Sequence, residues 1–215
     1  MSLPFTREQF FEVFARYNEG VMPLQLALLL LALSAFGAVV VRRRGSDRVV
    51  SAILAGLWAW MGIVYHFIYF APVNPAARMF AAMFLVAAAL FAWAGVARGR
   101  LVFDGESRAR RVVGHALIAY ALVGYPLLSL LLGRQFPELP TFGLPCPTTL
   151  FTAGVLLFLR RPYPRRVLIV PLAWALVGSQ AALLLDVPQD FGLIVAAVAL
   201  AWLALPIMSR KEAAA

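Results

Sequence analysis

Six residues supply most of the chemistry within the apolar stretches of this chain: Tyr65, His66, Tyr125, Cys146, Thr148 and Gln180. His66 lies in "GIVYHFIYF". A neutral imidazole titrates between about pH 5 and 8 where solvent reaches it, which suits proton coupling or polar ligand contact. Gly62, Tyr65 and Tyr69 fall on the helical surface beside it, and Gly62 allows a second helix or a ligand to approach closely. Cys146, the only cysteine, sits between Pro145 and Pro147 in "TFGLPCPTTLF". Pro140, Pro145 and Pro147 forbid a regular helix through 140–147. Pro147 then suits the first position of a following helix, where its missing N–H costs nothing. Amides and hydroxyls near Thr148 and Thr149 would face an anion or polar group there. A thiol at that place gains reactivity if its pKa falls. Tyr125, in "GYP", marks a break in its helix, and Gln180 offers an amide to a neighbouring helix. Together these residues point to a pocket for a small molecule or ion. Each also has a plainer role open to it: an aromatic belt for Tyr65 and His66, a small buried filler for Cys146, interhelical bonding for Gln180.

Sharper chemistry fails on counts. Two histidines cannot form a multi-histidine zinc site, and the lone lysine, Lys211, lies beyond the last apolar stretch. No nucleophile elbow, phosphate-binding loop or Cys-x-x-Cys pair is present. One cysteine excludes an internal disulfide. Cys146, His66 and a methionine are chemically able to hold a soft metal, but no ligand spacing supports one. No cofactor is expected, and an enzyme is the least favoured class.

The elements that must position these residues follow from composition. Of 215 residues, 63% are hydrophobic and 13% charged, against about 45–50% and about 25% in soluble domains. Apolar stretches recur at about 21–41, 49–71, 76–97, 112–132, 147–159, 165–185 and 189–207. The expected fold is therefore all-α and polytopic, with seven transmembrane helices over 21–208. The fifth stretch is the weakest. From Thr148 to Leu159 it would be only about 18 Å of helix, so it must begin upstream. Residues 1–20 read as an external amphipathic helix on the membrane surface, with a Thr6/Gln9 capping box and Phe10, Phe11, Phe14 and Tyr17 on one face. Residues 209–215 read as a cytoplasmic tail. No removable signal peptide opens the chain.

Charge placement gives orientation. The segments "RRRGSDR", "RGRLVFDGESRARR", "RRPYPRR" and "SRK" hold 15 of the 19 Lys and Arg, leaving Arg7, Arg16, Arg78 and Arg134 elsewhere. The positive-inside rule then puts the N-terminus outside and the C-terminus in the cytoplasm. It also explains the net charge of +9 through contact with an anionic leaflet, without nucleic acid. In the short outer loops, Asn74 and Gln189 are placed to cap the helices that follow.

The chain also repeats weakly. "WAWMG" at Trp58 and "WALVG" at Trp174 share a pattern, with Pro72 and Pro188 each 14 residues later and Arg44 and Arg160 each 14 residues earlier. This predicts a 3+1+3 parallel repeat, as in some transporters.

The segments "FFEVFARYNEGVMPLQ", "WMGIVYHFIYFAPVNPAA", "ALVGYPLL", "PTFGLPCPTT" and "VPQD" together resemble an uncharacterised bacterial family of multi-pass membrane proteins, a domain of unknown function. The resemblance spans nearly the whole chain and implies a bacterial inner-membrane location. It carries no activity or site residues. The layout also looks like that of small sugar transporters, a likeness of topology alone. The leading expectation is a small transporter or permease with its pocket in the outer half of the bundle. The alternative is a membrane sensor or interaction protein that transports nothing.

Overall fold

The computed structural model describes residues 4–105 and 107–205. The expected tail, 209–215, lies outside them. Among the described residues eight helices form and there are no strands. We number them α1 (Arg7–Val21), α2 (Leu24–Val41), α3 (Ser46–Phe70), α4 (Ala77–Ala97), α5 (Arg108–Leu131), α6 (Pro145–Leu156), α7 (Arg165–Leu184) and α8 (Pro188–Ala204). Five of them, α2, α3, α4, α5 and α7, are long and apolar enough to cross a membrane. The apolar α8 is shorter, and α6 has only 12 residues. The seven expected stretches thus comprise five helices of spanning length and two short ones.

α6 tolerates its shortness because of where it sits. Pro147, Thr148 and every residue from there to Leu156 are buried, with α5, α7 and α8 packed around it. A helix walled by protein does not have to match the hydrocarbon thickness that a lipid-facing helix must. α2 shows the opposite pattern, with Leu26, Leu30, Leu31 and Leu33 exposed and Leu28, Ala32 and Ala35 buried. An apolar exposed face costs little in lipid, so hydropathy alone does not reveal which side packs.

α6 starts at Pro145, two residues before the expected Pro147. The first N–H groups of a helix have no intrahelical acceptor, so Pro145, Cys146 and Pro147 all fit its first turn without loss. The first intrahelical bond runs from Thr148 N–H to the Leu144 carbonyl. Residues 140–144 are non-helical, and Pro140, Phe142, Gly143 and Leu144 are buried. Gly143 turns the chain into α6 at φ +100°, and a Cβ there would stand 2.5 Å from Leu28 Cδ1.

α1 has the expected capping box. Thr6 N–H donates to Gln9 Oε1 at 2.9 Å, and Gln9 N–H donates to Thr6 Oγ1 at 3.2 Å. The Glu8 carboxyl is held below its usual range by hydrogen bonds from its own amide and from Thr6. The apolar face of α1 packs on protein. Phe10, Phe11, Phe14 and Tyr17 are buried in a cluster with Tyr65, Phe70, Leu144, Leu185 and Val187. This differs from the expected helix laid on the membrane surface: aromatic side chains of α3 and the 140–147 segment offered the face a partner.

Contacts sort the loops to two ends of the bundle. At the basic end, Asp47 Oδ1 accepts from Phe103 N–H at 2.9 Å, Arg160 pairs with Asp104 at 2.9 Å, and Tyr163 donates to the Leu203 carbonyl at 2.6 Å. At the opposite end, Arg7 pairs with Asp186 at 2.7 Å, and Tyr120 donates to the Gln189 carbonyl at 2.7 Å. Asn74 does not cap α4, whose N-cap is Ala76 with no side-chain bond; its Oδ1 accepts from Ala76 N–H at 3.1 Å in the turn before the helix. Gln189 makes no cap either. Its Oε1 is buried without a partner among the described residues.

Candidate functional site

A cavity of about 230 Å³ opens at the end that carries α1. Its floor and walls come from the aromatic face of α1, the last turns of α3, Phe80 of α4, Tyr125 of α5, the 140–147 segment and the second half of α7. Phe10, Phe14, Phe70, Phe80 and Trp174 make it largely apolar. The sequence explains this convergence. Prolines keep 140–144 out of helix and turn the backbone inward, while small Gly178 and Ala181 on α7 leave the space unfilled.

Of the six candidates, Tyr65, Tyr125, Cys146 and Gln180 stand on the cavity wall. His66 and Thr148 do not. Tyr65 and His66 point in different directions from one turn of α3. Tyr65 faces the cavity, and His66 turns into a cage of rings: Phe84 at 4.5 Å, Trp174 at 4.9 Å and Phe80 at 5.7 Å between centroids. His66 is fully buried, and neither ring nitrogen has a hydrogen-bond partner among the described residues. Expected proton coupling through a solvent-reached His66 does not fit this setting. Replacing His66 with Phe removes no bond and keeps the ring packing. We expect His66→Phe to change stability by less than about 1 kcal/mol, or to raise it, in a thermal melt of the purified protein. A loss of several kcal/mol would mean that the imidazole holds a partner.

Thr148 is spent on structure. Its hydroxyl accepts from Gly143 N–H at 3.2 Å and its carbonyl accepts from the Thr152 hydroxyl at 2.8 Å. Thr152 in turn accepts from Trp58 Nε1 at 3.1 Å. The Thr148 amide also closes the first turn of α6, so the expected offer of that amide and hydroxyl to a ligand is withdrawn.

Two residues outside the six complete the site. Asp190, in the first turn of α8, is buried, and its Oδ1 accepts from the Tyr125 hydroxyl at 2.6 Å. The Cys146 thiol lies beside the same carboxylate. A carboxylate in the first turn is favoured by the helix dipole. The three side chains thus form one polar group behind an apolar cavity, with no cationic partner for Asp190 among the described residues. Its signal in the sequence was an acidic residue directly before an apolar helix. The second residue is Trp174, whose buried Nε1–H has no acceptor among the described residues. A Cβ at Gly178 would stand 3.3 Å from that nitrogen and 3.6 Å from Cys146 Sγ. The two polar atoms therefore flank one spot on the wall.

No group of three or more His, Cys, Asp and Glu gathers as a metal site among the described residues. His66 and Cys146, the proposed soft-metal pair, face different surroundings. A thiol and phenols stand on the ring-lined wall with the buried Trp174 indole N–H next to them, a set that can hold an apolar ligand by one or two hydrogen bonds.

No curated protein and no solved structure matches this chain. The chain belongs to the family of unknown function DUF6064, whose model covers residues 7–214.

Proposed function

We propose that this is a membrane protein that binds a small, largely apolar ligand in the cavity between α1, α3, the 140–147 segment and α7, and that acts as a receptor or sensor. The observation that carries it is the buried Trp174 Nε1–H, without an acceptor among the described residues, beside Cys146 on an aromatic wall. A buried donor without an acceptor costs about 1–3 kcal/mol, and a ligand carbonyl or hydroxyl would recover that. The centre of the bundle favours sensing over passage. α6 fills it, its Phe151 fully buried in one core with Trp58, Phe84 and Phe91.

In this reading α6 and α8 also cross the membrane, giving seven passes, with the basic end in the cytoplasm and the cavity outside. The gathering of basic loops at one end supports this, as does the charge rule. The 3+1+3 repeat finds some support in Trp58 and Trp174, which pack on Phe84 at 4.6 Å and 4.9 Å. Transport by a small permease is the second reading. It is favoured by π-helical turns at Met61–Phe70 and Tyr120–Gly124, which adjoin cavity residues. Such turns recur at functional sites and can serve as hinges.

One experiment tests the pocket and its side together. A membrane-impermeant maleimide added to intact cells should label Cys146, the only thiol, and Ala181→Phe, which fills the cavity, should slow the reaction in protein that still melts cooperatively. Labelling confined to the cytoplasmic side would reverse the orientation. No labelling by either impermeant or permeant reagent in the folded protein would remove the pocket.

A further inference from the structure

The basic end carries a cluster that the cavity does not involve. Trp93, in the last turns of α4, is partly exposed, and three guanidinium groups gather on its indole. Arg166 stands 4.2 Å from the ring centroid, Arg98 5.5 Å and Arg100 5.8 Å. Arg98 and Arg100 follow α4, while Arg166 lies in the first turn of α7, so two packed helices contribute. None of the three has a carboxylate partner among the described residues. Among the described residues, Asp47 accepts from Phe103 N–H and Asp104 pairs with Arg160.

Each cation–π contact offers about 0.5–1 kcal/mol at an exposed site, while three like charges on one ring repel one another. An anion between them would turn that repulsion into attraction. Guanidinium groups match phosphate oxygens by paired N–H bonds. The neighbouring surface decides what carries the phosphate. α4 exposes Val86 and Val96, and α7 exposes Ile169 and Leu176, all apolar. A phosphate with apolar chains satisfies both the cluster and the helices beside it, whereas a free phosphate satisfies only the cluster.

We propose that Arg98, Arg100 and Arg166, arranged around Trp93, bind the phosphate of an anionic phospholipid whose acyl chains lie along α4 and α7. Basic recesses between helices at a membrane surface are suited to such headgroups. The site is independent of the cavity at the other end.

The test uses the full chain in detergent, with dioleoyl phosphatidylglycerol as the probe and retained lipid read by native mass spectrometry. Phosphatidylglycerol should bind more tightly than dioleoyl phosphatidylcholine, whose choline already answers its phosphate. R98Q/R100Q/R166Q should weaken phosphatidylglycerol binding at least about tenfold. R42Q/R43Q/R44Q, which removes the same charge from the same end, should change it by less than about twofold. Equal losses in both triple variants would reduce the effect to bulk charge and overturn the site. So would equal binding of the two lipids, or displacement of phosphatidylglycerol by glycerol 3-phosphate at similar concentration, which would mark a soluble-anion site. If R98Q/R100Q/R166Q does not fold, R166Q alone should still weaken binding more than R43Q, and no difference between them overturns the proposal.

Discussion

Asn18→Ala is expected to destabilise the protein by on the order of 3 kcal/mol, and Asn18→Asp by more. Asn18 is fully buried on α1. Its Nδ2 donates to the Pro137 carbonyl at 2.5 Å and the Leu139 carbonyl at 2.7 Å. Its Oδ1 accepts from Gln25 Nε2 at 2.5 Å and from the Thr141 hydroxyl at 2.8 Å. One side chain thus fills all the roles an amide has and ties α1, α2 and the 137–141 segment together. Alanine leaves two carbonyls short of donors and two donors short of an acceptor, and the Gln25–Thr141 bond at 2.9 Å makes good only part of this. Aspartate is nearly the same size but supplies no donor and sets negative oxygens against two carbonyls. Gln25→Ala should cost less than either, since Asn18 keeps three bonds. Melting curves of the four proteins in one detergent decide it. Losses below about 1 kcal/mol for both Asn18 variants would mean that water replaces the network. The consequence reaches the cavity, because Pro140 and Leu144 to Pro147 are part of its wall.

Gly154→Leu is expected to prevent folding, a loss above about 4 kcal/mol. α5 and α6 cross with their backbones nearly touching. A Cβ on Gly154 would stand 2.7 Å from Ile118 Cγ1, 2.8 Å from the Gly114 carbonyl and 3.1 Å from the Ile118 nitrogen. From the other side, a Cβ on Gly114 would meet the Gly154 carbonyl at 2.8 Å. Backbone atoms cannot rotate aside as a side chain can, so the helices would have to separate, and α6 lies between several neighbours. Small residues at such crossings supply close packing between membrane helices. Gly56→Leu is the matched control, since nothing lies within 4 Å of a Cβ there. Its effect should be near zero or stabilising, glycine being about 1 kcal/mol poorer than alanine within a helix. Yield of monodisperse protein after gel filtration separates the cases. Comparable yields for Gly154→Leu and Gly56→Leu would refute the close crossing.

The sequence by itself determined what depends on local chemistry. Apolar stretches and their lengths predicted an all-helical membrane protein, because a backbone in hydrocarbon must bond to itself. Thr6 and Gln9 predicted their own cap, since it is a bond among near neighbours. Three prolines predicted non-helical backbone before α6, though not that Pro145 and Pro147 both fit the first turn. Basic residues predicted which loops would gather at one end.

Only the tertiary structure decided which face of each helix packs. In a chain that is 63% hydrophobic, lipid-facing and protein-facing positions carry the same residue types, so periodicity distinguishes them poorly. This is why α1 docked on protein, why His66 turned away from the wall that Tyr65 joins, and why Thr148 was consumed by Gly143 and Thr152. Asp190 and Trp174 escaped notice for the same reason. Asp190 reads as an outer-loop acid until Tyr125 and Cys146, 65 and 44 residues away in sequence, are brought to it. Trp174 reads as one more apolar ring until its N–H is found without an acceptor among the described residues. A site made of long-range contacts exists only once the helices are packed, because each member alone has an ordinary local role.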